Sequence, residues 1–522
     1  MGTEVLPSGR AVPGRSQRWT LIVAILGSSM AFIDGSVVNV ALPAIQEALT
    51  ASAARMQWVI NAYMLFLGAL MLLGGAAGDR WGRRRTFELG VVLFGIASVA
   101  CGLSPDSLAL VLARAVQGVG GALLVPGSLA LIRAHFDEEG RGRAIGTWAA
   151  FSALTTAAGP MLGGWLVDTV SWRAIFLINV PFVAVTLWAS RRHVPESRPG
   201  GTGPLDWVGC VLAVAGFGAL TYGLIASSGR GLLDVRVMGP AVAGVALLAG
   251  FVAVEARVSS PMLPLALFRS RAFTGANVLT VLLYCALSAA LFLLPFNLIA
   301  VRGFSATQAG AAFLPFTLVL AGLSRWTGGL FGKGSMRRPL IAGPLVVAAA
   351  FGLLALPGSS GPYWRDFLPG LLVLGLGMAI SIAPLTTTVM NAVEERHAGA
   401  ASGVNNAVAR IAGLLAVAVL GTLAVAVFGS RLEGRLASLD LPVEIRREIL
   451  DNSAQIAAVP IPDQLDAMQH EAVRTAIAEA FVGAFRLVMM ISAGLAVLAA
   501  ASGAMTVHRP IGAAALQRRL GP

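Results

Sequence analysis

Charge is scarce in this chain of 522 residues: 12% are Asp, Glu, Lys or Arg, against 56% that are hydrophobic. A soluble globular chain carries roughly 25% charged residues, so a string of soluble domains, which the length alone would suggest, is excluded. Lysine is nearly missing, Lys333 standing alone among 38 basic residues. Cysteine is rare, and Cys101, Cys210 and Cys285 fall singly in or beside apolar runs, so neither a disulfide framework nor a thiolate metal site is implied. The five histidines (His135, His193, His397, His470 and His508) lie outside the centres of those runs, which argues against a metal ion in the apolar region. They also offer no Ser/His or His/Asp constellation of the kind a membrane-embedded acyltransferase would need. No G-x-x-x-x-G-K-[ST] loop occurs, so ATP hydrolysis is not expected.

What the chain has instead is long apolar runs, each about 20 residues, the length that crosses the hydrocarbon of a bilayer. Fourteen are readable, near 19–43, 56–78, 87–104, 108–132, 143–167, 174–190, 206–226, 235–255, 272–300, 308–331, 338–357, 367–390, 402–428 and 476–505. Lipid offers backbone groups no partner, so runs of this length must be helices. The first 18 residues are polar, with Arg10, Arg15 and Arg18 ahead of a run that continues through Asp34 to Pro43. That reads as a first span rather than a cleaved signal peptide. An even number of spans puts both termini on one side. Connections on that side carry 23 Lys or Arg and those opposite carry 11, with Arg114, Arg325, Arg410 and Arg486 inside spans. The bias predicts cytoplasmic termini by the positive-inside rule. It also accounts for the net charge of +12 without nucleic acid, since no basic stripe with interleaved aromatics is present.

A weak internal repeat divides the chain. GGAAGDRWGRRR (74–85) follows the second span, and a degenerate GGLFGKGSMRRP (328–339) follows the tenth. Secondary transporters are often built from two repeated halves, which predicts six spans in 1–200, an inserted pair in 201–260 and six more in 261–522. A long outer connection near 429–475 has mixed charge and an amphipathic stretch around Val443–Leu450, suited to a short surface helix.

Within the spans, Asp34 stands out, because an ionisable group at a span centre costs about 2.5–3.5 kcal/mol on insertion scales. Such a carboxylate could trade a proton for a substrate, or serve only to pack helices. Arg114 lies in the fourth span, one turn before Gln117, among glycines that permit close helix approach. It needs acceptors: Asp34 if the first and fourth spans touch, otherwise backbone carbonyls and Gln117. In the loop after the second span, Gly75 and Gly82 allow a tight turn. Arg80, Arg83 and Arg84 there set topology, whereas Asp79 has no topological explanation and suits a latch. The fifth span carries Gly146, Gly159, Gly163 and Gly164 as a small-residue face, with Pro160 favouring a bend. Asn39, Asn61, Gln117, Asn405 and Arg410, with Trp58, Tyr63, Trp148, Phe151, Tyr284, Phe292, Phe296, Phe313 and Phe316, are candidates to line a cavity, although most membrane aromatics face lipid or the interface.

These stretches resemble the major facilitator superfamily, in its fourteen-span drug:proton antiporter branch. IDGSVVNVALP (33–43) is similar to the first-span motif, with Ser36 where threonine is commoner. GAAGDRWGRRR (75–85) resembles the superfamily's loop motif, LVLARAVQGVGGA (110–122) the fourth-span motif, and residues 146–164 the antiporter motif. SWRAIFLINVP (171–181) and ASGVNNAVARIAG (401–413) are further branch-like segments, so the similarity spans nearly the whole chain. The resemblance implies an all-α polytopic membrane protein of fourteen transmembrane helices arranged 6 + 2 + 6. It further implies Asp34 in coupling and cation recognition, Arg114 in proton transfer and Asp79 in gating. Thr155 departs from the motif's usual glycine, and Gly332 and Lys333 stand where an aspartate would be expected in the second-half loop.

The expected protein is thus a monomeric, proton-coupled exporter of amphipathic drugs or related small molecules in a bacterial plasma membrane. It would use the proton gradient and no cofactor, and its partners are substrate, protons and lipid. A dedicated exporter or importer of one metabolite is the nearest alternative, and a membrane-embedded enzyme a remote one.

Overall fold

The computed structural model describes residues 14–198, 205–227, 234–258, 261–331, 336–393, 398–462 and 464–506. Fifteen helices follow in order: α1 (Gly14–Ala48), α2 (Ala53–Trp81), α3 (Arg83–Gly102), α4 (Ser107–His135), α5 (Glu138–Thr169), α6 (Ala174–His193), α7 (Trp207–Ala226), α8 (Val235–Glu255), α9 (Arg271–Val301), α10 (306–331), α11 (Arg337–Leu354), α12 (Tyr363–Asn391), α13 (Ala398–Leu436), α14 (Val443–Asp451) and α15 (Ala467–Thr506). Parts of α5, α10 and α13 are described by their backbone alone. Fourteen of the helices correspond to the fourteen apolar runs, and α14 is the short surface helix. Thirteen are long and apolar enough to cross a membrane among the described residues. The other long helix, α5, has 32 residues. Large apolar side chains stay exposed around the bundle, among them Ile96, Leu112, Trp188, Val211, Val245 and Leu318. In water this belt would be a liability; against lipid tails it has no cost. The chain is a multi-pass membrane protein.

Local chemistry sets the helix ends. Asp106 accepts from the amides of Leu108 and Ala109 at the start of α4, and Asp234 and Ser270 do the same for α8 and α9. Ser305 and Gln308 form a reciprocal capping box at α10. Pro295, near the end of α9, is followed by a wide turn over Asn297–Val301, where the regular hydrogen-bond ladder is lost.

The helices fall into two groups by their contacts. In the first, α4 lies against α1, α2 and α3, and α1 against α5; in the second, α9 and α11 meet α15, α11 and α10 meet α12, and α9 meets α13. Between the groups, α2 runs along α13 and α5 along α10. The inserted pair packs on itself, and α7 leans on both α2 and α13, covering that seam from the lipid side. Association in lipid depends on close fit rather than on hydrophobicity. Gly74 illustrates it: a Cβ there would lie 2.0 Å from the Ala122 carbonyl oxygen of α4.

The connection between α13 and α15 is shorter than the apolar pattern indicates. α13 continues to Leu436 and α15 begins at Ala467, because each extension, though polar outside, buries an apolar edge: Leu432 and Leu436 on one, Val473 on the other. The described part of the remainder, 437–462 and 464–466, folds over the end of the bundle opposite the start of α1 and the end of α15, anchored by Ile445, Ile449 and Ile456 in the core. It crosses the seam, since Gln46 of α1 donates to the Gln455 carbonyl at 2.9 Å.

Candidate functional site

Asp34 and Arg114 meet in the middle of the first helix group, 0% and 1% exposed. The glycines of α4 make this possible: Gly118 sits where a Cβ would be 2.5 Å from the Tyr63 carbonyl, so α4 lies directly on α2. Arg114 forms an ion pair with Asp34 Oδ2. Its Nε donates to the Val59 carbonyl at 3.1 Å and its Nη1 to Gln117 Oε1 at 2.8 Å. Gln117 Nε2 donates to Asp34 Oδ1 at 2.8 Å, closing a ring of three side chains. Tyr63 lies under the guanidinium at 4.2 Å and donates its hydroxyl to the Ala31 carbonyl.

The cluster extends further than the sequence suggested. Gln117 also reaches Ser98 of α3 at 3.3 Å, and Ser98 accepts from Asn179 of α6 at 2.9 Å. Five helices, α1, α2, α3, α4 and α6, therefore contribute to one buried polar core. A hydroxyl and an amide in apolar runs were the available signal, but neither is costly enough alone to stand out. A buried pair survives only where surrounding hydrogen bonds satisfy the remaining donors and acceptors, which Gln117 and Val59 do here.

Beside it, between the two groups, lies a cavity of about 470 Å³. Gly35 and Ser36, the residues directly after Asp34, line it together with Asn39. Phe32, Tyr284, Phe313 and Phe316 supply aromatic surface, and Arg410 of α13 a positive charge. Other candidates are held elsewhere. Tyr63 and Gln117 belong to the buried cluster. Asn61 is 0% exposed on α2, with neither polar atom of its side chain partnered. Trp58 is half-buried outside the cavity wall. Trp148 packs edge-on behind Phe32, and Phe151 points outward, 46% exposed. Phe292 and Phe296 pack on each other in the core. Asn405 ties α13 to α9 through Asn277 and Thr280.

At the α2–α3 turn, Gly82 takes φ +106°, a conformation that favours glycine. Asp79 pairs with Arg83 at 3.1 Å. Arg80 lies at the end of α2, and Gly75 has open space where a Cβ would project. The turn is fixed by a residue the sequence reading missed. Glu196, after α6, accepts from the backbone amides of Arg84 and Arg85 and so caps α3. Its carboxylate faces the positive end of the helix. Arg84 in turn donates to the Val194 carbonyl and sits 3.8 Å from Glu88.

On α5 the small residues face two directions. Gly159 and Gly163 admit Ser36 and Val37 of α1. Gly164 faces α10, where a Cβ would be 2.1 Å from the Ala306 carbonyl; across the same seam, one on Gly310 would be 2.0 Å from that of Pro160. Asp168, also unforeseen, accepts from the amides of Ala306 and Thr307 at 3.1 and 2.8 Å, capping α10 across the seam. Thr155 is spent on its own helix, donating to Phe151 and Ser152 carbonyls. The surroundings of Gly146, and the whole of Gly332 and Lys333, lie outside the described residues. Asp168, the Gln46–Gln455 contact and Thr422, which donates to Gln57 at 3.4 Å, join the groups at the end opposite the termini.

This arrangement can be set beside known proteins. The sequence model of the Major Facilitator Superfamily matches residues 24–417. The tetracenomycin C resistance and export protein of Streptomyces glaucescens is 34% identical over 94% of this chain and 92% of its own. The multidrug resistance protein Stp of Mycobacterium tuberculosis is 36% identical over 84% and 81%, respectively. Among solved structures, a bacterial homologue of the human lysosomal transporter Spinster shares the fold, with a TM-score of 0.64 at 19% identity over 96% of this chain and 100% of that one. The chain belongs to the Major Facilitator Superfamily, as a member with fourteen spans.

Proposed function

We propose that this protein exports amphipathic small organic molecules, drugs or antibiotics among them, in exchange for protons. The observation that carries the reading is the Asp34–Arg114–Gln117 ring, buried on the other side of the α1 turn whose Gly35 and Ser36 line the cavity. A substrate in the cavity and a proton on Asp34 would then act on the same turn of helix. The names of the relatives, resistance and export proteins, support this direction of transport. Proteins of this superfamily are transporters, and the chain is not an enzyme.

In this reading residues 1–200 and 261–522 are two bodies that rock about the central cavity, with 201–260 riding on the α2/α13 seam. The arginine bias supports cytoplasmic termini in a bacterial plasma membrane. The ties through Asp168, Gln46 and Thr422 then close the outer side, giving an inward-facing state. Asp79 and Arg83, with the Glu196 cap, hold the inner turn of the first body. The working unit is a monomer, since each chain contains a whole cavity. The membrane potential adds about 2.3 kcal/mol per charge per 100 mV.

The test is proton movement in proteoliposomes under an imposed pH gradient, with a dye panel, comparing the native chain with Asp34→Asn. Dye-stimulated proton flux that the substitution abolishes is the expected result. Native protein that moves no proton with any dye would overturn broad drug export and favour a carrier of one metabolite.

A further inference from the structure

The charge of the cavity narrows the substrate. Among its described lining residues, Arg410 is the only charged side chain, and no carboxylate faces the space. Asp34, the nearest acid in sequence to the lining of α1, is turned away and shared between Arg114 and Gln117. Among the described residues Arg410 makes neither an ion pair nor a side-chain hydrogen bond; the ring centre of Phe32 lies 5.9 Å from its guanidinium carbon. That is the outer limit of a cation–π contact. A guanidinium inside a membrane protein is costly without an acceptor, and this residue lines a space large enough for a drug-sized molecule.

We propose that the cavity takes anionic amphipaths: an aromatic or apolar body with one carboxylate, sulfonate or phenolate, the acid group paired with Arg410. The planar fork of arginine binds such groups through two parallel hydrogen bonds. Phe32, Tyr284, Phe313 and Phe316 provide a surface for the ring system, and Asn39 provides further donors and acceptors. The inference rests on the exporter reading for direction, and it changes the electrical balance of the cycle. An anion leaving against one entering proton carries two positive charges inward, so export responds to membrane potential. A cation leaving against one proton carries none.

The experiment uses the full-length protein and two xanthene dyes of similar size, anionic fluorescein and cationic rhodamine 123. Binding is measured by equilibrium dialysis in detergent, and dye-driven proton flux in proteoliposomes with the potential clamped by potassium and valinomycin. Fluorescein is expected to bind and move in preference, faster at a negative interior potential. Arg410→Gln should lower the ratio of fluorescein to rhodamine affinity about tenfold, the loss of one charge-assisted contact. Arg410→Lys, which keeps the charge but loses the fork, should fall between the native protein and Arg410→Gln, whereas damage to the fold would strike both variants alike. Preference for rhodamine 123, or a ratio indifferent to Arg410→Gln, overturns the anion assignment and leaves the exporter standing. Arg410-dependent fluorescein binding without proton flux keeps the assignment and removes the exporter. Absence of both binding and flux overturns the two together.

Discussion

Replacing Asp34 by Asn and Arg114 by Gln together should destabilise this protein less than the two single replacements do in sum. In the native ring both Asp34 oxygens accept, one from Arg114 and one from Gln117 Nε2, while Gln117 Oε1 accepts from Arg114. An asparagine has one acceptor and one donor, so its amide nitrogen must oppose either the guanidinium or the Gln117 amide. Flipping Gln117 offers no escape, because its nitrogen would then face Arg114. Arg114 keeps its charge and loses its counter-ion, and breaking a buried pair this way costs about 3–5 kcal/mol. Asp34→Asn with Arg114→Gln removes the charge as well and leaves amides that can re-pair. The double variant should therefore recover about 1–3 kcal/mol relative to the sum of the single effects. The measurement is a double-mutant cycle of thermal melting in one detergent, run beside proton flux. All three variants should lose coupled flux. Additive destabilisation would refute the ring as an energetic unit, and coupled flux in the double variant would refute it as the coupling site.

Other expectations follow from the seams and caps. Asp168→Ala removes two contacts to the start of α10, each about 1.5–3 kcal/mol for a charged acceptor. It should raise labelling of an Asn39→Cys probe by an impermeant maleimide from the outer side at least tenfold, in a background with Cys101, Cys210 and Cys285 replaced; unchanged labelling would remove the outer tie. Gly164→Val drives carbon into the Ala306 carbonyl and should abolish transport, with native-like transport showing that α5 and α10 need not close this tightly. Glu196→Ala uncaps α3 and should cost about 1–2 kcal/mol, lowering the melting temperature; a Glu196→Gln variant, which keeps an acceptor, should fall less. Gln46→Ala removes a single neutral hydrogen bond, about 1 kcal/mol, and should shift the same cysteine labelling less than Asp168→Ala does.

The residues divide clearly into those legible along the chain and those fixed only in space. The fourteen spans were readable because lipid leaves a backbone no choice but to satisfy itself, so length and hydropathy suffice. Asp34 and Arg114 were readable because a charge in such a run is expensive and conspicuous. The small residues of α5 were readable as a packing face. What the sequence could not supply was direction. A soluble helix announces its buried side by being polar on the other, but here lipid-facing and core-facing sides are equally apolar. Phe316 and Phe151 are therefore indistinguishable in sequence, yet one lines the cavity and the other is 46% exposed outside it. The same loss of signal hid Ser98 and Asn179, whose roles depend on α3 and α6 converging on Gln117. Glu196 and Asp168 looked like ordinary loop-side acids; each acts through the backbone amides of a distant helix start. Span number, span position and the intramembrane charges were determined by the solvent, one segment at a time. The pairing of those charges, the cavity wall and the closed seam were decided by which helices touch, and that is a property of the whole bundle.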